Sequence, residues 1–173
     1  MIHNIVPNLP ENTTICELGN REGLSTISIL DSLNQTNHFI TYDVVDDHRF
    51  VDLNKIEEQK KSFQFVKLDC LSEQALEIIQ QTCKEHGNIS LLFCDTVHTY
   101  EQLSQEFELY EPFLADEAII LVDDIQDNYE SEDPVWHRTK YRFYKEWKGD
   151  KYDLTDLCHY PTGFAAFTYR RKK

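Results

Sequence analysis

Short apolar runs alternate with longer amphipathic stretches along the whole chain. Residues 14–18 predict a first strand, and Ser25 then stands as the cap of a helix whose apolar residues Ile27, Ile29, Leu30 and Leu33 mostly share a face. Residues 38–43 predict a second strand, which leads through an acidic loop into a weak, polar helical stretch around 51–60. Residues 63–68 form the third expected strand. Ser72 opens a helix to His86, with Ala75, Leu76, Ile79 and Cys83 at helical spacing and Gly87 as its stop. Residues 89–94 are apolar enough for a central strand buried on both faces. Leu103, Phe107, Tyr110 and Leu114 follow as the inward stripe of another helix, and 118–122 predict the fifth strand. Asp133 and Pro134 read as cap and first-turn proline of a helix that ends near Gly149. Residues 152–157 and 164–169 are close enough to form an antiparallel hairpin.

Strands alternating with helices are the pattern of a parallel sheet covered on both faces. The expected fold is α/β: a Rossmann-like, doubly wound sheet of seven strands, mostly parallel, with the C-terminal hairpin adding an antiparallel strand at the edge. Ligands of such sheets bind beyond the carboxyl ends of the strands. With 173 residues, 40% of them hydrophobic, the chain suffices for one core, and 1–173 is expected to be a single domain.

Charge narrows the choice of partner. A formal net charge of −14 opposes nucleic acid and anionic membranes, and the one basic run, Arg170-Arg171-Lys172-Lys173, is a terminal tail. No apolar stretch approaches the ~20 residues that cross a bilayer. Residues 1–10 lack the basic start and apolar core of an export signal, so a cytoplasmic protein is expected. Cys16, Cys70, Cys83, Cys94 and Cys158 form no C-x-x-C pair and read as reduced, mostly buried thiols.

The first strand runs into Glu17-Leu18-Gly19-Asn20-Arg21-Glu22-Gly23-Leu24-Ser25. Glycines at this spacing allow a tight turn and a close approach of backbone to ligand, with the free N–H groups of a helix start behind them. The pattern E-x-G-x-x-x-G-x-S resembles the cofactor loop of class I S-adenosylmethionine (SAM) methyltransferases. That resemblance implies cofactor contacts at Glu17, Gly19, Asn20, Gly23 and Ser25. It further implies that Asp43 holds the ribose hydroxyls and that Asp69 and Cys70 flank the adenine.

A second segment, Asp95-Thr96-Val97-His98-Thr99-Tyr100-Glu101, resembles the D-x-x-H-x-Y-E motif of macrolide-sugar and other small-molecule O-methyltransferases, and the apolar run ending in Asp123-Asp124 is similar to the Asp-Asp strand of the same subfamily. The likeness runs from about Thr14 to Ile125. Neighbouring fourth and fifth strands would bring Asp95, Asp123 and Asp124 together, where repelling carboxylates call for a hard cation, Mg2+ or Mn2+. Asp95 is also expected at the cofactor. A metal-held hydroxyl is easier to deprotonate, and His98 would take the proton.

The resulting expectation is metal-assisted methyl transfer from SAM to a hydroxyl of a small molecule such as a sugar or glycan. The alternatives are a metal-independent methyltransferase for another acceptor and a non-catalytic interaction module. Ala115-Asp116-Glu117 departs from the Pro-Gly-Gly turn that the subfamily places before the fifth strand. Only about a dozen residues precede the first strand, so the site is expected to be open or closed by a second copy in a homo-oligomer. Trp136, Tyr141, Phe143, Tyr144 and Trp147 read as helix-to-sheet packing, and Tyr100 and Glu101 as the start of their helix.

Overall fold

A computed structural model describes residues 2–45, 52–126, 132, 138–158 and 162–172. Strands β1 (Thr14–Leu18), β2 (His38–Tyr42), β3 (Phe63–Val66), β4 (Ile89–Cys94), β5 (Leu114–Asp123), β6 (Lys151–Asp153) and β7 (Phe164–Arg170) form one sheet in the order β3-β2-β1-β4-β5-β7-β6. The first five strands run parallel, and β7 runs antiparallel to both β5 and β6. The reversed strand therefore lies one place in from the edge, and the short β6 is the edge strand itself.

The helices are α1 (Ile2–Ile5), α2 (Leu24–Ser32), α3 (Leu53–Gln59), α4 (Glu73–His86), α5 (Tyr100–Tyr110), α6 (Lys140–Glu146) and α7 (Thr155–Cys158). Every residue of β1, β2 and β4 is buried, so side chains that alternate along a strand enter two different cores. Cys16, Leu18, Ile40, Tyr42, Leu92 and Cys94 pack with Ala75 and Ile79 of α4, Leu103 and Tyr110 of α5, and Phe143 of α6. Ile15, Phe39, Leu91 and Phe93 pack on the other face with Val6, with Ile29 and Leu30 of α2, and with Leu53 of α3. Each fully buried Leu, Ile or Phe contributes about 1.5–3 kcal/mol, and the two layers hold the strand ends rigidly.

Several boundaries differ from the sequence reading for physical reasons. Gly23, at φ 84°, caps α2, and Ser25 lies inside its first turn. The strands β2 and β3 stop at Tyr42 and Val66, leaving Asp43 and Leu68 in the following loops. The strand β5 begins at Leu114 and incorporates Ala115-Asp116-Glu117, with a register shift against β4 between Ile89 and Leu91. Asp116 is held there by Arg171, whose Nε lies 3.3 Å from its Oδ1. The helix α7 takes up the end of the expected 152–157 strand. Asp133, Pro134 and Trp136 lie outside the described residues, and α6 starts at Lys140 behind Thr139. Phe143 and Trp147 pack edge-on against Phe107 and Phe167, as helix-to-sheet packing requires. Cys16, Cys70, Cys83 and Cys94 are free, buried thiols. No helix among the described residues is long and apolar enough to cross a membrane.

Candidate active site

Strand register assembles the rim of the site. Leu18 pairs with Cys94 and Cys94 with Val122, so the next residues, Gly19, Asp95 and Asp123, leave three neighbouring strands side by side. Leu18 also pairs with Tyr42, which puts Asp43 on the other flank of Gly19. The sheet thus brings together residues more than a hundred positions apart, at the carboxyl ends where ligands of such folds bind.

The glycine loop rests on two carboxylates. Glu17 is fully buried, and its Oε2 accepts hydrogen bonds from the hydroxyls of Thr26 at 2.6 Å and Thr41 at 2.7 Å. Burial pushes its carboxyl above the ordinary range, against the lowering effect of hydrogen bonds from Ser25, Thr26 and Thr41. Asp43 fixes the loop from the side. Its Oδ2 accepts from the N–H groups of Asn20 at 2.9 Å and Arg21 at 2.7 Å, and its Oδ1 from that of Val45 at 2.9 Å. Gly19 and Gly23 both have left-handed φ values, 83° and 84°. Oδ1 of the buried Asn20 and Oε1 of Glu17 have no hydrogen-bond partner.

Asp69 and Cys70 lie beyond β3. Asp69 turns the chain, its Oδ1 accepting from Leu71 N–H at 2.9 Å. The Cys70 thiol lies in the core 3.9 Å from Glu106 Oε1, and its carbonyl accepts from the Tyr110 hydroxyl at 2.9 Å. That thiol is buried, and burial pushes its pKa up.

Across the rim, Asp95, Asp123 and Asp124 form one electrostatic cluster. Burial and the charge of Asp123 raise the Asp95 carboxyl well above its ordinary range, with Lys140 opposing. Burial and the charge of Asp124 bring Asp123 up to about 6. Asp124 behaves oppositely: burial would raise it, but hydrogen bonds from His98 and Thr162 and the charges of His98 and Lys140 bring it down to about 2. Asp124 has φ 60°, a left-handed conformation that aspartate tolerates, and its N–H reaches both Asp123 Oδ1 and Gly163 O at 2.9 Å.

His98 Nε2 lies 2.9 Å from Asp124 Oδ2, and Arg138 Nη1 lies 3.6 Å from Oδ1. An ionised carboxylate can only accept, so Nε2 carries the proton and Nδ1 is left as the basic atom. His98 does not cap α5. Thr99 does, its hydroxyl accepting from Gln102 N–H at 3.2 Å.

Two buried charges here were not foreseen. Glu106 on α5 is fully buried and accepts from the Thr96 hydroxyl and from Gln102 Nε2, the latter at 2.9 Å. It could have been noticed as the one carboxylate on the inward stripe of Leu103, Phe107 and Tyr110. Lys140, the first residue of α6, is 0% exposed, and its Nζ has no hydrogen-bond partner. Its charge acts on Asp95, Glu106, Asp123 and Asp124. Thr139 places it: the Thr139 N–H donates to His98 O at 2.9 Å, and its hydroxyl accepts from Tyr100 N–H at 2.8 Å. No sequence signal marks Lys140, because a lysine at a helix start reads as a solvated residue. Among the described residues, no group of three or more His, Cys, Asp or Glu side chains is arranged to hold a metal ion.

Residues 16–125 match the family described as a methyltransferase domain. No curated protein matches the sequence. Among solved structures, the chain is similar to an O-methyltransferase from Bacillus cereus in complex with SAH. The identity is 17% and the TM-score 0.66, covering 98% of this chain and 79% of that one. It is also similar to the O-methyltransferase TomG from Streptomyces achromogenes, involved in tomaymycin synthesis and in complex with SAM. There the identity is 16% and the TM-score 0.63, with coverage of 97% and 78%. A more distant likeness is to the methyltransferase MycE of the mycinamycin biosynthetic pathway, in complex with Mg and SAH. Its identity is 12% and TM-score 0.56, covering 91% of this chain and 45% of that one.

Proposed function

Because the chain belongs to the methyltransferase-domain family that matches residues 16–125, we propose that it transfers a methyl group from SAM to a hydroxyl oxygen of a small molecule. The observation that carries this reading is the placement of the His98–Asp124 pair on the same strand-end rim as the glycine loop. The residues fit the cofactor: Asn20 Oδ1 and Glu17 Oε1 are orphaned, buried acceptors beneath a loop with two left-handed glycines. Gly19, Asn20, Gly23 and Ser25 would hold the amino-acid end, with Glu17 carrying the loop from below. Asp43 would meet the ribose, and the Asp69-Cys70 backbone the adenine. When bound, SAM supplies an electrophilic methyl group on a sulfonium sulfur.

His98 would take the acceptor hydroxyl's proton on Nδ1, while Asp124 holds the ring in one tautomer and stabilises the imidazolium. Asp95 stands between the two halves of the site, next to Gly19 on one side and Asp123 on the other. Leu24, Val44, Val45 and Val97 follow the strand ends and are all more than half exposed. An apolar rim of this kind suits an organic acceptor carrying few charges, a sugar or glycan among them.

The sequence reading places Mg2+ or Mn2+ between Asp95, Asp123 and Asp124. The donor set does not suit a dication. Asp124 is already paired with His98 and Arg138, and the ammonium of Lys140 lies within the same buried field. Isothermal titration of the protein with SAM, with and without Mg2+, tests the function. Saturable binding independent of Mg2+ is expected, and no binding at millimolar SAM would overturn the reading.

A further inference from the structure

We propose that Lys140 is the resident cation of the carboxylate cluster, a positioning residue that supplies from the chain itself the positive charge a divalent metal would otherwise bring. The inference rests on reading this rim as the methyl-transfer site, and it goes beyond that reading by making the site independent of metal.

The argument begins with a side chain out of place. Lysine is almost never fully buried unless paired, yet Lys140 is 0% exposed and its three N–H donors meet no acceptor within hydrogen-bond distance. Four buried or partly buried carboxylates feel its charge instead: Asp95, Glu106, Asp123 and Asp124. Its Nζ is bonded to none of them, and its one positive charge opposes the raised carboxyls of Asp95, Glu106 and Asp123 together. The side chain is held there by construction. Thr139 is pinned to both His98 and Tyr100 by hydrogen bonds of 2.9 and 2.8 Å, and Phe143, one turn on, is anchored in the core against α5.

The consequence for metal follows from like-charge repulsion. A dication entering between Asp95 and Asp123 would approach a buried ammonium that cannot swing into water, in surroundings that screen poorly. Removing the ammonium reverses the balance, because the mutual repulsion of Asp95 and Asp123 then stands with no nearby lysine charge opposing it. Lys140 acts on the reaction through these carboxylates: it sets the charge at the rim beside His98, and its Nζ is itself enclosed.

The test is Mn2+ titration of the 173-residue protein, followed by electron paramagnetic resonance. The wild type is expected to show no saturable Mn2+ site below about 1 mM. Lys140→Met should gain one, at least about 100-fold tighter, and adding Asp123→Asn should abolish it. Lys140→Arg, which keeps the charge, should behave as the wild type. A lysine that only filled space would leave Mn2+ binding unmoved by any of these changes. Should Lys140→Met fail to fold, Lys140→Gln carries the same comparison. Micromolar Mn2+ binding by the wild type that is lost in Asp123→Asn overturns the proposal, as does a folded Lys140→Met or Lys140→Gln protein with no gain. Calorimetry with SAM separates the two readings: absent SAM binding defeats the methyl-transfer reading, whereas the Mn2+ result judges Lys140 alone.

Discussion

A Cβ atom placed on Gly19 would stand 2.2 Å from the carbonyl oxygen of Asp95 and 2.7 Å from its carbonyl carbon. The glycine loop and the carboxylate cluster are therefore in backbone contact, reinforced by the Asp95 N–H donating to Leu18 O at 2.8 Å.

Gly19→Ala combines this collision with a φ of 83°, which costs an L-residue about 1–2 kcal/mol before any clash. Loss of SAM binding is expected, together with a lowered melting temperature. Calorimetry and thermal unfolding check the two effects. A variant that binds SAM normally would show that the loop tolerates displacement and that Asp95 is not coupled to it.

The His98–Asp124 pair carries a second prediction. His98→Ala should lower turnover by about 10²–10⁴-fold, the usual loss for a general base. Asp124→Asn should lower it in the same direction, because an amide no longer dictates which imidazole nitrogen bears the proton. SAM affinity should change little in either variant, since the loop and Asp43 lie on the other flank. Steady-state rates with an identified acceptor, set beside SAM affinities, check this. An unimpaired His98→Ala enzyme would return the histidine to a structural role.

The parts of this molecule that are legible in its sequence are those where burial dictates composition. The strands β1 and β4 are bounded as the sequence predicts because both faces of each are buried, so their runs are mostly apolar, with Thr14, Glu17 and Ser90 as buried polar exceptions. The helix α4 was legible because Ser72 and Gly87 cap it in sequence as they do in space. The start of β5 was not, because Ala115-Asp116-Glu117 is partly or wholly exposed and its charges mimic a turn. The grouping of Asp95 with Asp123 and Asp124 could be inferred from strand order alone. Lys140 could not, because its place is fixed by Thr139 reaching across to His98, a contact between segments 41 residues apart with no periodicity to announce it.

A third prediction concerns Thr41, fully buried between Glu17 and Asn20. Its hydroxyl donates to Glu17 Oε2 at 2.7 Å and accepts from Asn20 Nδ2 at 3.3 Å. Thr41→Val keeps the shape and removes both bonds, leaving a buried carboxylate with one donor fewer. Destabilisation of about 1–3 kcal/mol is expected from such an unsatisfied group, read as a lower urea midpoint with an unchanged slope. A neutral result would mean that Glu17 is already protonated and needs no donor there.

The last prediction lies at the opposite end of the sheet. The His38 ring stacks on that of His86 with centroids 4.0 Å apart and planes within 4°. Neither ring nitrogen of His38 has a hydrogen-bond partner. Burial, with the neighbouring His86 adding to it, presses the His38 pKa from 6.5 down to about 4. Between those values the unfolded chain binds a proton that the folded chain refuses, so stability falls as the pH drops from 6.5 towards 4 and is unaffected by this group above 6.5. Asp123 acts in the opposite sense over part of this range: its carboxyl, raised to about 6, favours the folded state as the pH falls below that value. The comparison must therefore be between variants at each pH. His38→Phe keeps a stackable ring without a titrating group, and relative to the wild type it should gain roughly 1–3 kcal/mol on going from pH 7 to pH 4. Urea unfolding at half-unit pH steps measures this difference directly. A difference curve that stays flat from pH 7 to pH 4 would show that His38 titrates normally and that its ring can reach water in the folded protein.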